Sequence, residues 1–287
     1  MATSIEAGEF RSGQRIQWNN AASGWKRWSS QLDKGAGAVS ERLVELARIE
    51  PGQRVLDVAT GYGEPALTAA RHVGSEGEVV ATDISAEMLA YGRERAAAAG
   101  IENVRFVETD AASLEFPAED PGFDAALSRW GIIFEPEPEA TAARIRSFLK
   151  PGGRMAMASW GQVDRVPMFA LTIGTLVERL GIPGPPPGMP GPLSRPTREA
   201  ITALLEGGGF SNVQVEEIDV MFDYSSPEEF VTCLRDIAPP ITALLKEQPQ
   251  DVQERAWVEI TEAARERAGG DQPFQLSNVA LLAVGEA

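Results

Sequence analysis

From about residue 36 to residue 160 the chain alternates short apolar runs with longer stretches whose apolar positions recur at helical spacing. Strands are predicted at 54–59 (RVLDVA), 78–83 (EVVATD), 104–110 (VRFVETD), 123–129 (FDAALSR) and 153–160 (GRMAMASW), and helices at 64–73, 86–99 and 138–149. Several of the strands are apolar without alternation, as expected of strands covered on both faces. The βαβαβ order therefore predicts an α/β fold with a parallel, doubly wound sheet. Punctuation agrees: Gly100 closes a helix, LKPGGR stops another before a strand, and Ser85 stands at the N-cap of the helix entered by Met88 and Leu89.

Two regions leave this alternation. The run GIPGPPPGMPGPLSRP (181–196) must be extended or turn-rich. A helical block at 226–268 separates a sixth strand, SNVQVEEIDV (211–220), from a final buried strand, SNVALLAVG (277–285). Both excursions are expected to fold over one end of the sheet as cap material. An N-terminal arm at 11–34 carries Trp18, Trp25 and Trp28 on one face if it is a single helix. That stripe either anchors the arm on the core or forms an aromatic wall over a ligand. The organisation expected is an arm or lid at 1–48, a core at 49–160, a cap at 161–209, and the last two core strands with their helical insertion at 210–287.

Candidate chemistry begins at DVATGYGEPA, where Gly61 and Gly63 form a G-x-G turn between the first strand and a helix. Glycine permits positive φ and close approach of a ligand, and the helix start presents free N–H groups. Nicotinamide enzymes use nearly the same turn. Here, however, Asp57 stands inside the strand, where a carboxylate repels pyrophosphate and suits a ligand with an ammonium group. Asp83 ends the second strand, placed to accept from both ribose hydroxyls, with Ile84 and Met88 beside it to cover an adenine. Asp110 and Ala111 follow the third strand, where a carboxylate and an N–H can read the adenine edge. Each acid alone has a plainer role as a helix cap. In order, the three favour a nucleoside with an amine and no phosphate: S-adenosylmethionine.

At these residues the chain resembles the class I methyltransferases, and among them is similar to the ubiquinone/menaquinone-biosynthesis C-methyltransferases. The resemblance rests on VLDVATGYGEPAL, VVATDISAEML, FVETDAASLEF, FDAALSRWGIIF and SFLKPGGRMAMASW, and covers about residues 50–160. It implies a Rossmann-like, seven-stranded sheet whose last strand is antiparallel. It also implies cofactor contacts at Asp57, Ala59, Gly61, Gly63, Asp83, Ile84, Asp110 and Ala111, with Ser128 near the methionine end. Ala59 and Thr60 depart from the Gly-Cys or Gly-Ser common in that family.

On the acceptor side the candidates are Arg129 and Trp130 at the exit of strand four, and Tyr62 in the glycine loop. Arg129 can hold an acceptor oxygen or carboxylate, or else pair with an acidic neighbour. His72 falls at the far end of the first core helix, where it serves the helix carbonyls. Trp130, Trp160 and the cap aromatics point to a small aromatic or apolar acceptor methylated on carbon or oxygen.

Composition narrows the partners. The formal charge is −16, which opposes nucleic acid and anionic membrane surfaces. A single cysteine, Cys233, and a single histidine leave no Cys/His zinc cluster, and no metal site is expected. No apolar run suits a membrane helix or a secretory signal, so a cytoplasmic monomer or homodimer is expected. Two other readings stay open: a protein of this fold that binds the cofactor and catalyses a rearrangement, or only binds, and a nicotinamide oxidoreductase.

Overall fold

A computed structural model describes residues 7–117 and 120–287. A single seven-stranded sheet runs β3-β2-β1-β4-β5-β7-β6. The strands are β1 (Arg54–Val58), β2 (Glu78–Asp83), β3 (Val104–Glu108), β4 (Phe123–Arg129), β5 (Leu149–Trp160), β6 (Ser211–Tyr224) and β7 (Phe274–Glu286). The first five pair in parallel, and β7 inserts antiparallel between β5 and β6. The doubly wound sheet with an antiparallel last strand is thus observed.

The apolar character of β1 and β4 has its cause in burial from both faces: Val55, Leu56, Val58, Ala125, Ala126 and Leu127 are all inaccessible to water. Helices α2 (Ala66–Val73), α3 (Ala86–Ala98) and α4 (Pro138–Ser147) supply the parallel crossovers. Ser85 caps α3 by accepting the Met88 N–H at 3.1 Å. The chain leaves β1 toward β2 on one side and returns to β4 on the other, so the strand order reverses at their carboxyl ends, where such sheets hold ligands.

Two features differ from the sequence expectation. β5 begins at Leu149, not at residue 153, because Leu149 pairs with Phe123 ahead of the Pro151–Gly153 irregularity. β6 and β7 are longer than expected because their antiparallel pairing continues as far as Tyr224 opposite Phe274.

The arm is one helix, α1 (Ala7–Leu46). Leu32, Ala36, Val39 and Leu43 recur at spacings of four and three, and this stripe is buried against the sheet. A Cβ at Gly35 would stand 2.5 Å from the Phe222 ring and 2.7 Å from the Met221 carbonyl oxygen, so α1 lies too close to β6 for a side chain there. The cap begins with α5 (Pro167–Phe169), which runs through a π turn, Ala170–Gly174, into α6 (Thr175–Leu180); α7 (Arg198–Gly207) follows. The 226–268 block resolves into α8 (Pro227–Ile237), α9 (Pro239–Lys246) and α10 (Gln250–Ala268). No helix among the described residues is long and apolar enough to cross a membrane.

Gly35→Ala is expected to destabilise the chain by about 1–3 kcal/mol through overpacking. An unchanged midpoint in urea denaturation contradicts the close crossing of α1 and β6.

Candidate functional site

A cavity of about 230 Å³ opens beyond the carboxyl ends of β1, β2 and β4. Its floor is the loop after β1, where Ala59, Gly61 and Gly63 all take positive φ. Glycine at 61, unlike Ala59, takes its φ of +56° without the strain a side chain brings. A Cβ built there would meet nothing within 4 Å, so the loop leaves open space above it. Thr60 N–H donates to the Thr82 carbonyl at 2.9 Å, which fastens the loop to β2.

Asp83 completes that fastening. Its Oδ2 accepts the Gly61 N–H and its Oδ1 the Ser85 N–H, each at 2.8 Å. The carboxylate thereby ties the glycine loop to the start of α3, while remaining part of the cavity wall. Burial pushes its pKa up to about 6. Each oxygen retains a lone pair for a ligand donor.

Asp57 takes the helix-capping role that was the alternative to a ligand contact. It is fully buried, its Oδ2 accepts the Ala66 N–H at the start of α2 at 2.9 Å, and its Oδ1 has no partner. It is not among the residues lining the cavity; the plainer helix-capping role is the one the structure displays. Burial raises its pKa to about 8. The carboxylate that does line the cavity beside the loop is Glu64, which accepts from the Thr68 hydroxyl at 2.7 Å.

The other expected cofactor residues divide in the same way. Ala59, Gly61, Asp83, Ile84, Met88 and Ala111 line the cavity. Gly63, Asp110 and Ser128 stand behind its wall: Asp110 accepts the Ser113 N–H at 2.9 Å, and the Ser128 hydroxyl donates to the Val58 carbonyl at 2.9 Å. Both polar side chains are occupied in holding turns.

The three acceptor-side candidates meet at one wall. The Tyr62 hydroxyl donates to Asp33 Oδ1 at 2.9 Å and accepts from Arg129 Nη2 at 3.2 Å. Burial pushes this phenol up to about 12, so it is neutral at physiological pH. Trp130 stacks on Trp160 with ring centroids 4.4 Å apart and planes 3° apart. Its φ of +58° is a conformation that a bulky residue adopts only under constraint.

The tryptophan stripe of α1 is divided between the cavity wall and an anchor. Trp18 packs edge-on against Phe134 at 5.4 Å, Trp25 lies tilted against Tyr62 at 5.5 Å, and both line the cavity. Trp28 instead anchors the helix, donating to Asp236 Oδ2 at 2.8 Å. The roof is further pinned where Asn19 Oδ1 accepts from the Ser85 hydroxyl at 2.7 Å and Arg11 meets Glu135 at 3.1 Å. His72 lies at the end of α2, its Nδ1 3.1 Å from the Thr68 carbonyl, away from the cavity.

The sequence reading missed Arg11, Glu64 and Glu135, and most of the far wall, including Phe222, Tyr224, Leu234 and Ile241. Glu64 sits inside the quoted glycine motif and had a legible signal. The others reach the cavity through long-range packing and carry none. Among the described residues no group of three or more His, Cys, Asp or Glu side chains could hold a metal ion.

A methyltransferase-domain family model matches residues 55–153, the segment that builds this floor. The region is a class I methyltransferase domain. Across it the chain is 37% identical over 120 residues to the ubiquinone/menaquinone biosynthesis C-methyltransferase UbiE of Teredinibacter turnerae, covering 42% of this chain and 47% of that protein. It is 35% identical over 121 residues to the aklanonic acid methyltransferase DauC of a Streptomyces species, covering 42% and 54%. The chain thus spans about half the length of these curated relatives. Over most of its length the fold is similar to that of YcgJ from Bacillus subtilis (TM-score 0.57, 20% identity, 87% of this chain and 98% of that one). The [4+2]-cyclase SpnF is similar too (TM-score 0.53, 22% identity, 88% and 82%). The family match therefore ends near β5, although β6 and β7 beyond it complete the same sheet.

Because Asp57 binds its proton more tightly folded than unfolded, its stabilising contribution is complete below pH about 4 and is lost as pH rises through about 8. Asp57→Asn keeps an acceptor for Ala66 without the charge. The melting temperature of this variant relative to the parent is expected to rise with pH from 5 to about 8 and then level off. A difference independent of pH contradicts the buried, raised carboxyl.

Proposed function

We propose that the chain is an S-adenosylmethionine-dependent methyltransferase acting on carbon or oxygen of a small aromatic or apolar acceptor. The observation that carries this reading is Asp83, a buried carboxylate on the cavity wall that already fixes the glycine loop and keeps lone pairs for a ribose diol. Ile84, Met88 and Ala111 supply the apolar slot beside it, and the open space over Gly61 accommodates the rest of the cofactor. Glu64 opposes a pyrophosphate at the loop, the part sequence reasoning had given to Asp57, and so disfavours a nicotinamide dinucleotide.

When bound, S-adenosylmethionine supplies a methyl group on a sulfonium, which a nucleophilic acceptor atom takes in line to leave a neutral thioether. The chain's contribution is orientation and exclusion of water. Trp18 and Trp25 close the roof, while Trp130, Trp160 and Phe169 form the apolar wall left for the acceptor. Tyr62 is a neutral phenol held at both ends of its hydroxyl, so it positions Arg129 and does not act as a base. The names of UbiE, for ubiquinone and menaquinone biosynthesis, and of DauC, for aklanonic acid, support a ring-bearing acceptor of this class. The lid at 1–48 and the caps at 161–209 and 226–268 are part of the proposal, as the pieces that tailor the acceptor space.

Incubation with S-adenosylmethionine and a panel of hydroxylated aromatics is expected to yield a product heavier by one CH2 unit in the mass spectrum. A product of unchanged mass supports the rearrangement alternative instead. Asp83→Ala is expected to weaken S-adenosylhomocysteine binding by about 1.5–3 kcal/mol at pH 7.5, read by calorimetry. Parent affinity should also fall as pH drops through about 6, where the carboxylate gains a proton. Equal affinity of parent and variant contradicts the ribose assignment.

A further inference from the structure

Two guanidinium groups reach the cavity wall among the described residues, and they are satisfied differently. Arg11 is paired with Glu135 at 3.1 Å. Arg129 is only 7% exposed, yet no carboxylate oxygen of the described residues lies within 4.0 Å of it. Its partners are neutral: Ser40 Oγ at 2.9 Å, the Ala36 carbonyl at 3.4 Å and the Tyr62 hydroxyl at 3.2 Å. A buried charge without an opposite partner is costly, and a fold that keeps one leaves it ready for a counter-charge. Asp33, Glu64 and Asp57 stand farther off, and Asp33 is reached only through the Tyr62 hydroxyl.

The guanidinium has five N–H donors, of which these three bonds use three. Nη1 and Nη2 are engaged on the side of α1 and Tyr62, so the unused donors include Nε. Trp130 follows in the chain, its ring 5.4 Å from the guanidinium carbon and its indole N–H buried without an acceptor. The end of β4 thus offers a cation beside the flat face of the Trp130–Trp160 stack.

We propose that Arg129 is the receiving site for an anionic oxygen of the methyl acceptor, a carboxylate or an ionised phenol or enol conjugated to a flat ring that lies along Trp130 and Trp160. The acceptor class is thereby narrowed from aromatic to acidic aromatic. The assignment rests on the methyltransferase reading only for the statement that this ligand is the acceptor. The guanidinium supplies charge-assisted, directional hydrogen bonds, which fix the ring's orientation and favour the ionised form of the attacking or neighbouring oxygen. One other anionic oxygen could reach it, the amino-acid carboxylate of the cofactor itself, and the test separates the two.

Binding is measured by tryptophan fluorescence with four probes: 1-hydroxy-2-naphthoic acid, its methyl ester, S-adenosylhomocysteine and 5′-methylthioadenosine, which lacks the amino-acid end. The parent chain is expected to bind the acid at least about tenfold more tightly than the ester, the scale of one charge-assisted bond. Arg129→Gln should remove that preference while leaving the ratio of the two nucleoside affinities unchanged. Equal binding of acid and ester by the parent, or binding of neither, overturns the proposal without requiring any variant to fold. Survival of the preference in Arg129→Gln overturns it as well. Selective loss of S-adenosylhomocysteine against methylthioadenosine in that variant assigns the guanidinium to the cofactor, and also overturns it. Because the nucleosides are read separately, failure of the acid arm with nucleoside binding intact leaves the methyltransferase reading standing.

Discussion

At the end of β2, the Asp83 carboxylate is withdrawn from water and held there by two backbone N–H groups, from Gly61 and Ser85. Through those bonds it joins the glycine loop after β1 to the first turn of α3, and so sets the floor on which the rest of the cavity is built. The Ser85 hydroxyl in turn donates to Asn19 of α1, which extends the same chain of contacts into the roof. Strand, loop, helix and lid are therefore registered against one buried charge. Desolvation disfavours that charge and raises its pKa to about 6, a cost that the ribose hydroxyls of the proposed cofactor would offset by donating to it.

The acids around this point divide their tasks by depth. Asp57 is sealed beneath the loop and caps α2, Asp83 sits on the wall, and Glu64 faces the cavity beside the loop. At the end of β4 the setting is different. Arg129 is buried among neutral oxygens, and Tyr62 relays its position to Asp33, whose other oxygen accepts from Arg95 at 2.6 Å. The proposed division of labour follows: acids at the loop and the end of β2 for hydroxyl and ammonium donors, and Arg129 at the end of β4 for an anionic oxygen beside a flat apolar surface.

Much of this was legible in the chain because the signals are local. The G-x-G turn, the acid closing β2, the Ser85 cap and the unbroken apolar runs of β1 and β4 each follow from the neighbouring residues and from burial on both faces. The double reading of Asp57 has an equally local cause: a carboxylate in a strand just before a helix can satisfy the helix N–H groups as readily as a ligand, and its capping bond to Ala66 is the part the fold displays. The far wall was not legible. Phe222 and Tyr224 reach the cavity because β6 pairs with β7 beyond the predicted ends, and Leu234 and Ile241 because the predicted helical block breaks at Ala238 and Pro239 into separate helices. Those placements depend on contacts between residues far apart in the chain. The neutral setting of Arg129 belongs to the same class, since Ser40 and Ala36 come from α1, about ninety residues earlier.

The central claim is that the cleft at the ends of β1 and β2 binds an adenosyl amino acid and excludes a dinucleotide diphosphate. It is tested most directly by titrating one sample of the chain, in the calorimeter at pH 7.5, with S-adenosylhomocysteine and then with NAD. A saturable one-to-one isotherm with the first and none with the second is the predicted result. Saturable binding of NAD, or no heat with S-adenosylhomocysteine, contradicts the account.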